Sequence, residues 1–572
     1  MPPPITAVVI NLATPTAGQQ PKQLGLSWIV TAGDRKDVDT FRVALKSSDA
    51  SSYQVVKQIA NSQLTAPINL PSLTALNWSQ AKVQVQACDA SNRCAYSNEQ
   101  SISALLTQAV GYFKASDTHA SDWFGTAVAL SSDGSTLAVG TGNGNNDGVH
   151  SSVYIFQKTG DTWAQQTVLR SPVTSIFTGF GLALSLSSNG NILLVGAPYD
   201  GSNAKGIGGD PNNALAPDSG AAYVFTRTGT SWSTPVYVKA SNTHTGDNFG
   251  ASVAISGDGA TFVVGAPYES SNATGVDGNE NDTSVAAAGA VFVYGISNSI
   301  VTKKNYLKAT DVGANYFFGI SVALSANGNM LAIGESGEGT DGSPPPNNAL
   351  SNSGAVYVYP RSGTQWLTPA VVKAFNPGQN YYFGNSVSLS ADGGTMAVGS
   401  FGEASNGTGV SDGSRITPAM LDTSLPKAGA AYVYLITSTG IHPNAYIKAS
   451  NNVNAAAFGH VVALSADGTT LAITAPDDRS AATGINGDQL NTTKRYAGAA
   501  FVFASSAGSW SQRAYVKSSN TDANDQFGYS LAISSDGSNL AIGAPSESSA
   551  ATGIDGNQAD NSVSESGAVY LY

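Results

Sequence analysis

The sequence predicts an all-β protein in which a β-sandwich precedes a seven-bladed β-propeller. Three observations predict this fold class. A block beginning with Phe-Gly recurs seven times, every repeat carries an Asp-Gly or Asn-Gly turn, and the chain before the repeats has short alternating runs separated by turn residues. A repeat of fixed length determines the architecture, so it is assigned before any single element.

Each repeat reads Phe-Gly-x-x-Val-x-[Leu/Ile]-Ser-x-[Asp/Asn]-Gly, then a Leu-Ala-Val-Gly-Ala-Pro run, then a Gly-Ala-Val-Tyr-Val-Tyr run. The repeats start at Phe124, Phe180, Phe249, Phe318, Phe383, Phe458 and Phe527. We expect four strands, A to D, in every repeat. The Asp-Gly or Asn-Gly pair between A and B predicts a type I′ hairpin, and a long polar loop joins B to C.

The last repeat lacks strand D, because the chain stops at Tyr572. A spare strand D stands before the first repeat, at residues 111–116. We expect it to complete the last sheet, which would close the ring and remove unpaired sheet edges. We therefore place the propeller at residues 106–572.

Residues 1–105 lack the repeat and contain about seven short apolar runs with turns between them, which predicts a β-sandwich. The runs Leu24-x-Leu26-x-Trp28 and Val83-x-Val85-x-Ala87 resemble strands of a fibronectin type III domain, one of the immunoglobulin-like sandwiches. Ala81 departs from that family, which usually has tyrosine two residues before the valine. The resemblance implies a spacer or docking module.

Cys88 and Cys94 flank the turn sequence Asp-Ala-Ser-Asn-Arg, so the two thiols should face each other across two strands. We predict a disulfide between them, and the alternative is two reduced core residues. A metal site would need further ligands that the neighbouring sequence lacks. A disulfide indicates a compartment outside the cytosol.

The 572-residue chain has a net charge of −12 and only 12% charged residues, which excludes nucleic acid as an expected partner. No window is long and apolar enough to predict a membrane span. The first residues, Met1 to Pro4, lack the features of a signal peptide. We expect an extracellular or cell-surface protein whose export signal is absent from this sequence.

The repeats resemble the FG-GAP family, found in integrin α-chain propellers and in many bacterial surface proteins. The Phe-Gly pairs carry the resemblance, together with the Gly-Ala-Pro runs at 196–198, 265–267 and 543–545. In integrin-type repeats a calcium loop lies between strands A and B. Here that link is a tight turn with too few oxygen ligands, so that site cannot be carried over.

Three B–C loops offer a different calcium candidate, because Asp and Asn alternate around a glycine as they do in short calcium-binding loops. The candidate ligands are Asp277, Asn279, Asp282, Asn486, Asp488, Asn491, Asp555, Asn557 and Asp560. The alternative is that these side chains cap the backbone of their own loop.

A second pattern is an acid just after strand B, paired in sequence with a base in strand D. The acids are Asp200, Glu269, Glu338, Glu403, Asp478 and Glu547, with Gly144 in the first repeat. The bases are Lys114, Arg170, Lys239, Lys308, Lys373, Lys448 and Lys517. The carboxylates could grip a cation or a glycan. The near one-to-one match favours one exposed ion pair per blade, worth about 0–1 kcal/mol.

Catalytic motifs are sparse. His119 and His244 occupy equivalent D–A loops, and His460 follows a Phe-Gly pair close to the expected central channel. A single histidine there favours a structural role over a general base.

We expect a non-enzymatic recognition or adhesion protein that binds a protein or glycan through the propeller loops. The departures from the repeat, such as the long loop at 401–427 and Pro344 to Pro346, are where we expect specificity. The alternatives are a polysaccharide lyase or hydrolase acting at the channel mouth, and a structural subunit of a surface assembly.

Overall fold

The computed structural model describes residues 8–17, 20–32, 37–48, 51–75, 80–102, 105, 108–142, 151–173, 177–341 and 348–572. Its described elements are antiparallel strands plus one 3₁₀ turn at Pro418–Leu421, with no α-helix among them. Pro344 to Pro346 and Gly144 lie outside the described residues. The all-β prediction is confirmed.

The N-terminal region consists of two sheets. One contains β1 (Val9–Leu12), β2 (Thr16–Ala17), β3 (Gln23–Ala32) and β6 (Thr65–Asn69); the other contains β4 (Thr40–Lys46), β5 (Gln54–Ala60), β7 (Lys82–Cys88), β8 (Cys94–Tyr96) and β9 (Gln100–Ser101). The alternating residues of both sheets are buried between them, and Trp28 packs edge-on to Phe41 at 5.4 Å between ring centroids.

Cys88 and Cys94 lie opposite each other in β7 and β8 and form a disulfide. The prediction of this bond is confirmed. It closes the hairpin that ends the second sheet, where the turn is held by the Asp89 carboxylate accepting the backbone N–H of Ser91 and Arg93.

Seven further sheets follow, one for each Phe-Gly pair, and we number them 1 to 7 in that order. Sheet 1 contains β11 (Phe124–Leu130), β12 (Thr136–Thr141), β13 (Ser152–Thr159) and β14 (Thr162–Arg170). Sheet 2 contains β15 (Ala183–Leu186), β16 (Ile192–Ala197), β17 (Ala221–Thr228), β18 (Ser231–Trp232) and β19 (Val236–Val238). Sheet 3 contains β20 (Ser252–Ile255), β21 (Thr261–Ala266), β22 (Ala290–Ser297) and β23 (Ile300–Leu307).

Sheets 4 to 7 follow the same plan. Sheet 4 contains β24 (Phe318–Leu324), β25 (Met330–Glu335), β26 (Ala355–Ser362), β27 (Gln365–Trp366) and β28 (Ala370–Val372), and sheet 5 contains β29 (Ser386–Leu389), β30 (Thr395–Ser400), β31 (Gly409–Asp412), β32 (Ala430–Thr437) and β33 (Gly440–Lys448). Sheet 6 contains β34 (Val462–Leu464), β35 (Thr470–Ala475), β36 (Ala499–Ser506) and β37 (Ser509–Val516). Sheet 7 contains β38 (Ser530–Ile533), β39 (Leu540–Ala544), β40 (Ala568–Leu571) and β10 (Gly111–Phe113).

The sheets form a ring. The first strand of each sheet contacts the first strand of the next, and β38 of sheet 7 contacts β11 of sheet 1. The strand expected to close the ring is β10, which pairs with β40 so that Tyr112 lies opposite Tyr570. This arrangement is that of a β-propeller, whose inner strands surround a central channel.

The Phe-Gly pair joins neighbouring sheets. Every one of the seven phenylalanines is fully buried. In sheet 3 the backbone of Phe249 bridges to Gly220 of sheet 2, while its ring packs against Phe292. Gly250 follows with a φ of +97°, and a Cβ on it would lie 2.2 Å from the Ala221 carbonyl oxygen. Only glycine fits this close approach of two backbones.

The turns between strands A and B differ from the predicted type I′ geometry. In each turn the glycine has a positive φ, but the preceding Asp or Asn does not. In the first turn the Asp133 carboxylate accepts the Ser131 hydroxyl at 2.6 Å and the backbone N–H of Ser135 at 2.9 Å. The aspartate is therefore selected as a side-chain cap of the turn and does not need the left-handed conformation.

Candidate functional site

The ring has two unlike faces. The turn face carries the A–B and C–D turns, and the loop face carries the B–C and D–A loops. The sandwich packs on the turn face: the Lys22 ammonium donates to the Ser538 carbonyl oxygen and to Asn539 Oδ1, and Asn69 donates to Asp161. Burial lowers the pKa of Lys22 to about 7. The loop face therefore lies away from the sandwich.

Under the loop face, six acid–lysine pairs repeat around the ring, and each joins an acid after strand B to a lysine of the same sheet. The pairs are Asp200–Lys239 at 3.2 Å, Glu269–Lys308 at 2.9 Å, Glu338–Lys373, Glu403–Lys448 at 2.6 Å, Asp478–Lys517 at 3.6 Å and Glu547–Lys114 at 2.9 Å. One pair per blade was expected, and these six sheets have it.

The expectation that the pairs are exposed is wrong. The side chains of Glu269 and Lys308 are 1% and 0% accessible, and four other pairs are buried to the same degree. In the sixth pair, 15% of the Lys373 side chain is accessible. Burial lowers the pKa of Lys308, partly offset by the Glu269 carboxylate. An ion pair removed from water is held by complete hydrogen bonding more than by charge attraction alone.

Each buried carboxylate has further donors, and some come from the preceding sheet. Glu269 accepts the Tyr306 hydroxyl and the Asn242 amide, both at 2.9 Å. Asn242 lies three residues after Lys239 of sheet 2, so one short segment serves two sheets. Asn376, Asn451 and Asn520 make the same bond to the acid of the next sheet. The carboxylates are fully engaged inside the protein and do not form a ring for a cation or glycan.

Sheet 1 is the exception. Its base, Arg170, pairs at 3.1 Å with Asp117, which lies three residues after Lys114 in the linker from sheet 7. Asp117 thus occupies the position of the linking asparagine, and it also accepts the Tyr154 hydroxyl. This pair is at the surface, with 44% of the arginine and 36% of the aspartate side chain exposed.

The predicted calcium ligands accept hydrogen bonds from their own loops or from strand D of the same sheet. Asp277 Oδ1 accepts the Tyr306 N–H at 2.8 Å and its Oδ2 accepts the Asn305 amide at 2.7 Å, while Asp282 accepts the N–H of Asn272 and Ser284. The other two loops repeat the pattern through Asn486, Asp488, Asn491, Asp555, Asn557 and Asp560. Asn279 likewise accepts the Asn281 N–H.

Within the described ranges there is no group of three His, Cys, Asp or Glu side chains that could hold a metal ion. A cation at one of these loops would have to displace backbone hydrogen bonds that fix the loop. The geometry fits the capping alternative, and calcium binding stays a prediction.

The three histidines singled out by the sequence have different surroundings. His119 and His244 are exposed, and the backbone N–H of each donates to an aspartate three residues later, Asp122 or Asp247, at 2.7 Å. These bonds close equivalent turns of the D–A loops. His460 lines the central channel, where its ring lies 5.5 Å from Tyr529 and 6.4 Å from Phe401.

The channel is a cavity of about 760 Å³ lined by the first strands of the sheets. Burial lowers the pKa of His460 to about 4, so the imidazole is neutral at neutral pH, and its Nδ1 has no hydrogen-bond partner among the described residues. Asp477 lines the same cavity, and burial raises the pKa of its carboxyl group. The described lining contains no arginine and no second carboxylate.

Sequence reasoning missed a ring of equivalent positions around the channel, two of which, Ala457 and Gln526, line its cavity. The residue before each Phe-Gly pair has a positive φ in all seven repeats: Trp123, Gly179, Asn248, Phe317, Tyr382, Ala457 and Gln526. We call these the mouth residues. Left-handed backbone at bulky residues costs on the order of 1–3 kcal/mol and is typical of functional sites. A signal was present, since this position varies between repeats while the Phe-Gly pair that follows it does not.

Aromatic side chains from the residue after Gly-Ala-Pro, or from a position close by, join the mouth residues. Tyr268 packs on the mouth residue Phe317 at 5.2 Å, and Phe401 stacks on the mouth residue Tyr382 at 4.9 Å. In the second repeat, whose mouth residue is Gly179, Tyr199 stacks on Phe177 at 5.2 Å. Phe177, Tyr268 and Tyr529 remain 38–45% exposed. The loop face thus presents an aromatic belt around the channel.

The long loop of the fifth repeat is ordered against the outside of its sheet. Its strand β31 pairs with β33 and adds a fifth strand. The 3₁₀ turn that follows buries Met420, whose carbonyl oxygen accepts the Asn376 amide at 2.9 Å. Ile416 and Leu421 remain exposed beside it.

Comparison with known proteins identifies the repeat. The FG-GAP repeat family model matches residues 110–156, 232–294, 301–359 and 510–572, which contain the Phe-Gly pairs of repeats one, three, four and seven. FG-GAP repeats are therefore present, as the resemblance predicts. No curated protein matches the chain, and no helix among the described residues is long and apolar enough to cross a membrane.

Two solved structures show a distant likeness. Sqt1 from Chaetomium thermophilum aligns at 14% identity and a TM-score of 0.40, over 81% of this chain and 88% of that one. The FN1-FN3 domains of chicken CNTN1 align at 8% identity and a TM-score of 0.15, over 54% of this chain and 97% of that one.

Proposed function

We propose that this protein is a non-enzymatic extracellular or cell-surface recognition protein, built from a fibronectin type III-like sandwich and a seven-bladed FG-GAP propeller. It binds a protein or glycan partner through the loop face. The disulfide and the FG-GAP repeats support a place outside the cytosol. The strand order of the two N-terminal sheets supports the assignment of the sandwich.

The observation that carries the proposal is the contrast between repeated and unrepeated positions on one face. The buried acid–lysine pairs recur in six sheets, whereas the mouth residues above them include tryptophan, phenylalanine, tyrosine, asparagine and glutamine. Positions that share one backbone conformation but differ in side chain suit recognition of a specific partner. Exposed aromatic residues are enriched where proteins bind partners.

The experiment is a binding screen of the full chain against a glycan array and a panel of purified extracellular matrix proteins. A Tyr268→Ala, Tyr529→Ala double variant of the loop face should lose the signal. The turn-face variant Asp258→Asn is the control, because asparagine stands at the equivalent position in two other repeats. Equal binding by both variants would place recognition elsewhere, and no binding by the wild type would contradict the proposal.

A polysaccharide-active enzyme is the second candidate, supported by His460, Tyr529 and Asp477 around one cavity. A neutral imidazole beside a tyrosine is a combination suited to proton transfer at a bound sugar chain. Incubation with neutral and acidic polysaccharides, followed by assays for new reducing ends and for unsaturated products, tests it. Activity that disappears in His460→Ala would establish the enzyme and overturn the non-enzymatic proposal.

A further inference from the structure

A second cavity, of about 510 Å³, opens on the loop face between sheets 1, 2 and 7. Its lining includes Trp123, Phe177, Tyr199, Gln526, Tyr529 and Glu565. The volume lies within the roughly 300–1,000 Å³ of small-ligand sites. Gln526 and Tyr529 also line the channel, so the two cavities adjoin at these residues.

The aromatic side chains of this pocket are held in place before any ligand arrives. Trp123 Nε1 donates to Glu565 Oε2 at 3.1 Å, and the Trp123 backbone N–H donates to the Glu565 carbonyl oxygen at 3.1 Å. Phe177 and Tyr199 stack with an interplanar angle of 15°. Fixed aromatic surfaces bind with a small loss of side-chain entropy.

The polar groups of the pocket offer both donors and acceptors. Gln526 Oε1 accepts the Ser546 hydroxyl at 3.1 Å, while the Gln526 amide nitrogen has no acceptor among the described residues. Glu565 supplies carboxylate oxygens, and the Thr126 hydroxyl, which donates to the Trp123 carbonyl oxygen at 2.7 Å, supplies an acceptor. Sugar hydroxyls donate and accept hydrogen bonds, and the C–H face of a pyranose ring is apolar enough to lie on an aromatic ring.

We propose that this pocket binds a neutral saccharide, with one pyranose ring on the Trp123 and Tyr529 side chains and its hydroxyls on Gln526 and Glu565. The inference rests on the proposed function and names the ligand class of the loop face. Because the pocket adjoins the channel at Tyr529, a longer saccharide chain would extend past Tyr529 towards His460. Disaccharides and longer oligomers should therefore bind more tightly than single sugars.

The charges that line the pocket favour a neutral saccharide over the charged ligands that other aromatic sites bind. No lysine or arginine is among the described residues that line the pocket, so a phosphorylated or sulfated ligand would find the Glu565 carboxylate and no cation. The cationic side chains of a basic peptide would pair with Glu565 but would offer the Gln526 amide donor no acceptor, because ammonium and guanidinium groups only donate.

The test is saturation-transfer NMR on the full chain with methyl β-D-glucopyranoside, methyl β-D-galactopyranoside, N-acetyl-D-glucosamine and cellobiose, beside an oligolysine peptide. At least one neutral sugar should bind. Trp123→Asn should weaken it at least about ten-fold, as expected when a central aromatic contact is lost. Asparagine suits this backbone, since Asn248 has a φ of 54° at the equivalent position.

Two further variants keep the result interpretable. Tyr529→Ala should weaken binding like Trp123→Asn, whereas Tyr268→Ala, equally exposed on the same face but outside the pocket, should leave it unchanged. Sugar binding that survives both pocket variants would overturn this inference while the proposed recognition function stands. Binding of the oligolysine peptide alone, lost in Glu565→Gln, would assign the pocket to a basic protein partner and also overturn it.

Discussion

Two layers at the same end of the propeller follow opposite rules. The inner layer consists of the buried acid–lysine pairs, which recur in six sheets. In four of these sheets the acid also accepts an asparagine amide from the preceding sheet. The outer layer consists of the mouth residues and their aromatic neighbours, which share one backbone conformation but almost no side chains. The difference fits the proposal that the repeated positions stabilise the fold and the varied positions bind the partner.

The inner layer should show the largest effect. Lys308→Ala leaves the Glu269 carboxylate buried with Tyr306 and Asn242 but without its cation, and we expect a loss of about 3–5 kcal/mol in the free energy of unfolding. Urea unfolding followed by intrinsic fluorescence measures it. Replacing both partners, as Glu269→Gln with Lys308→Met, should recover much of the loss, and a cost below about 1 kcal/mol for Lys308→Ala would contradict the assigned role.

Beside the inner layer, Asp247 should give the next largest effect, and it depends on pH. Burial raises the pKa of this carboxyl group to about 7, with Glu269, Lys239 and Lys308 nearby. Protons therefore bind the folded state more tightly, so the stabilisation is complete below pH 3.8 and is lost as pH rises towards 7. Asp247→Asn keeps the acceptor for the His244 N–H and should be more stable than the wild type above pH 7, by on the order of 2 kcal/mol.

Thermal unfolding of Asp247→Asn and the wild type between pH 4 and pH 8 measures that difference. Asp392→Asn is the control, and its difference in stability from the wild type should stay constant over this pH range. Hydrogen bonds from Ser390 and Gly394 lower the pKa of Asp392, so its contribution is present above pH 3.8 and is lost as pH falls. Parallel curves for Asp247→Asn and the wild type would show that this carboxyl group does not titrate as assigned.

Sheet 1 sharpens the comparison, because its ion pair is exposed. Arg170→Ala should cost only about 0–1 kcal/mol, since water screens the charges of Arg170 and Asp117. The same urea titration measures it beside Lys308→Ala. A loss of unfolding free energy as large as that of Lys308→Ala would show that the exposed pair stabilises the fold as much as the buried pairs do.

The B–C loops should give the smallest effect. The oxygens of Asp277, Asn486 and Asp555 already accept backbone N–H groups, so we expect excess chelator to leave the melting temperature unchanged. Added calcium that raises the melting temperature with its concentration would instead show a bound ion, because a ligand of the folded state stabilises by mass action. Asp282→Asn would then identify the loop.

The repeat made much of the fold predictable. The spacing of the Phe-Gly pairs and the Asp-Gly turns indicates strands with little ambiguity, and the spare strand at 111–116 identifies the partner of β40. The type I′ turns were wrong because the aspartate acts through its side chain, as Asp133 does. The burial of the ion pairs was missed because a linear pattern of charges does not show which side chains another sheet covers.

The candidate site was less predictable for a physical reason. Trp123, Phe177 and Tyr529 come from three sheets, and only ring closure brings sheet 7 beside sheet 1. The left-handed backbone of Trp123 accompanies a backbone hydrogen bond to Glu565 in the last repeat, 442 residues away. No local pattern reports either fact, although the variation of the position before Phe-Gly was visible in the chain.

The most direct test of the central claim is a double comparison of Trp123→Asn with Lys308→Ala, measuring for each the melting temperature and the affinity for a neutral sugar. We predict that Trp123→Asn loses the sugar and keeps the melting temperature, and that Lys308→Ala lowers the melting temperature and keeps the affinity at temperatures where it is folded. A Trp123→Asn variant that melts early and still binds the sugar would contradict the separation of a folding layer from a binding layer.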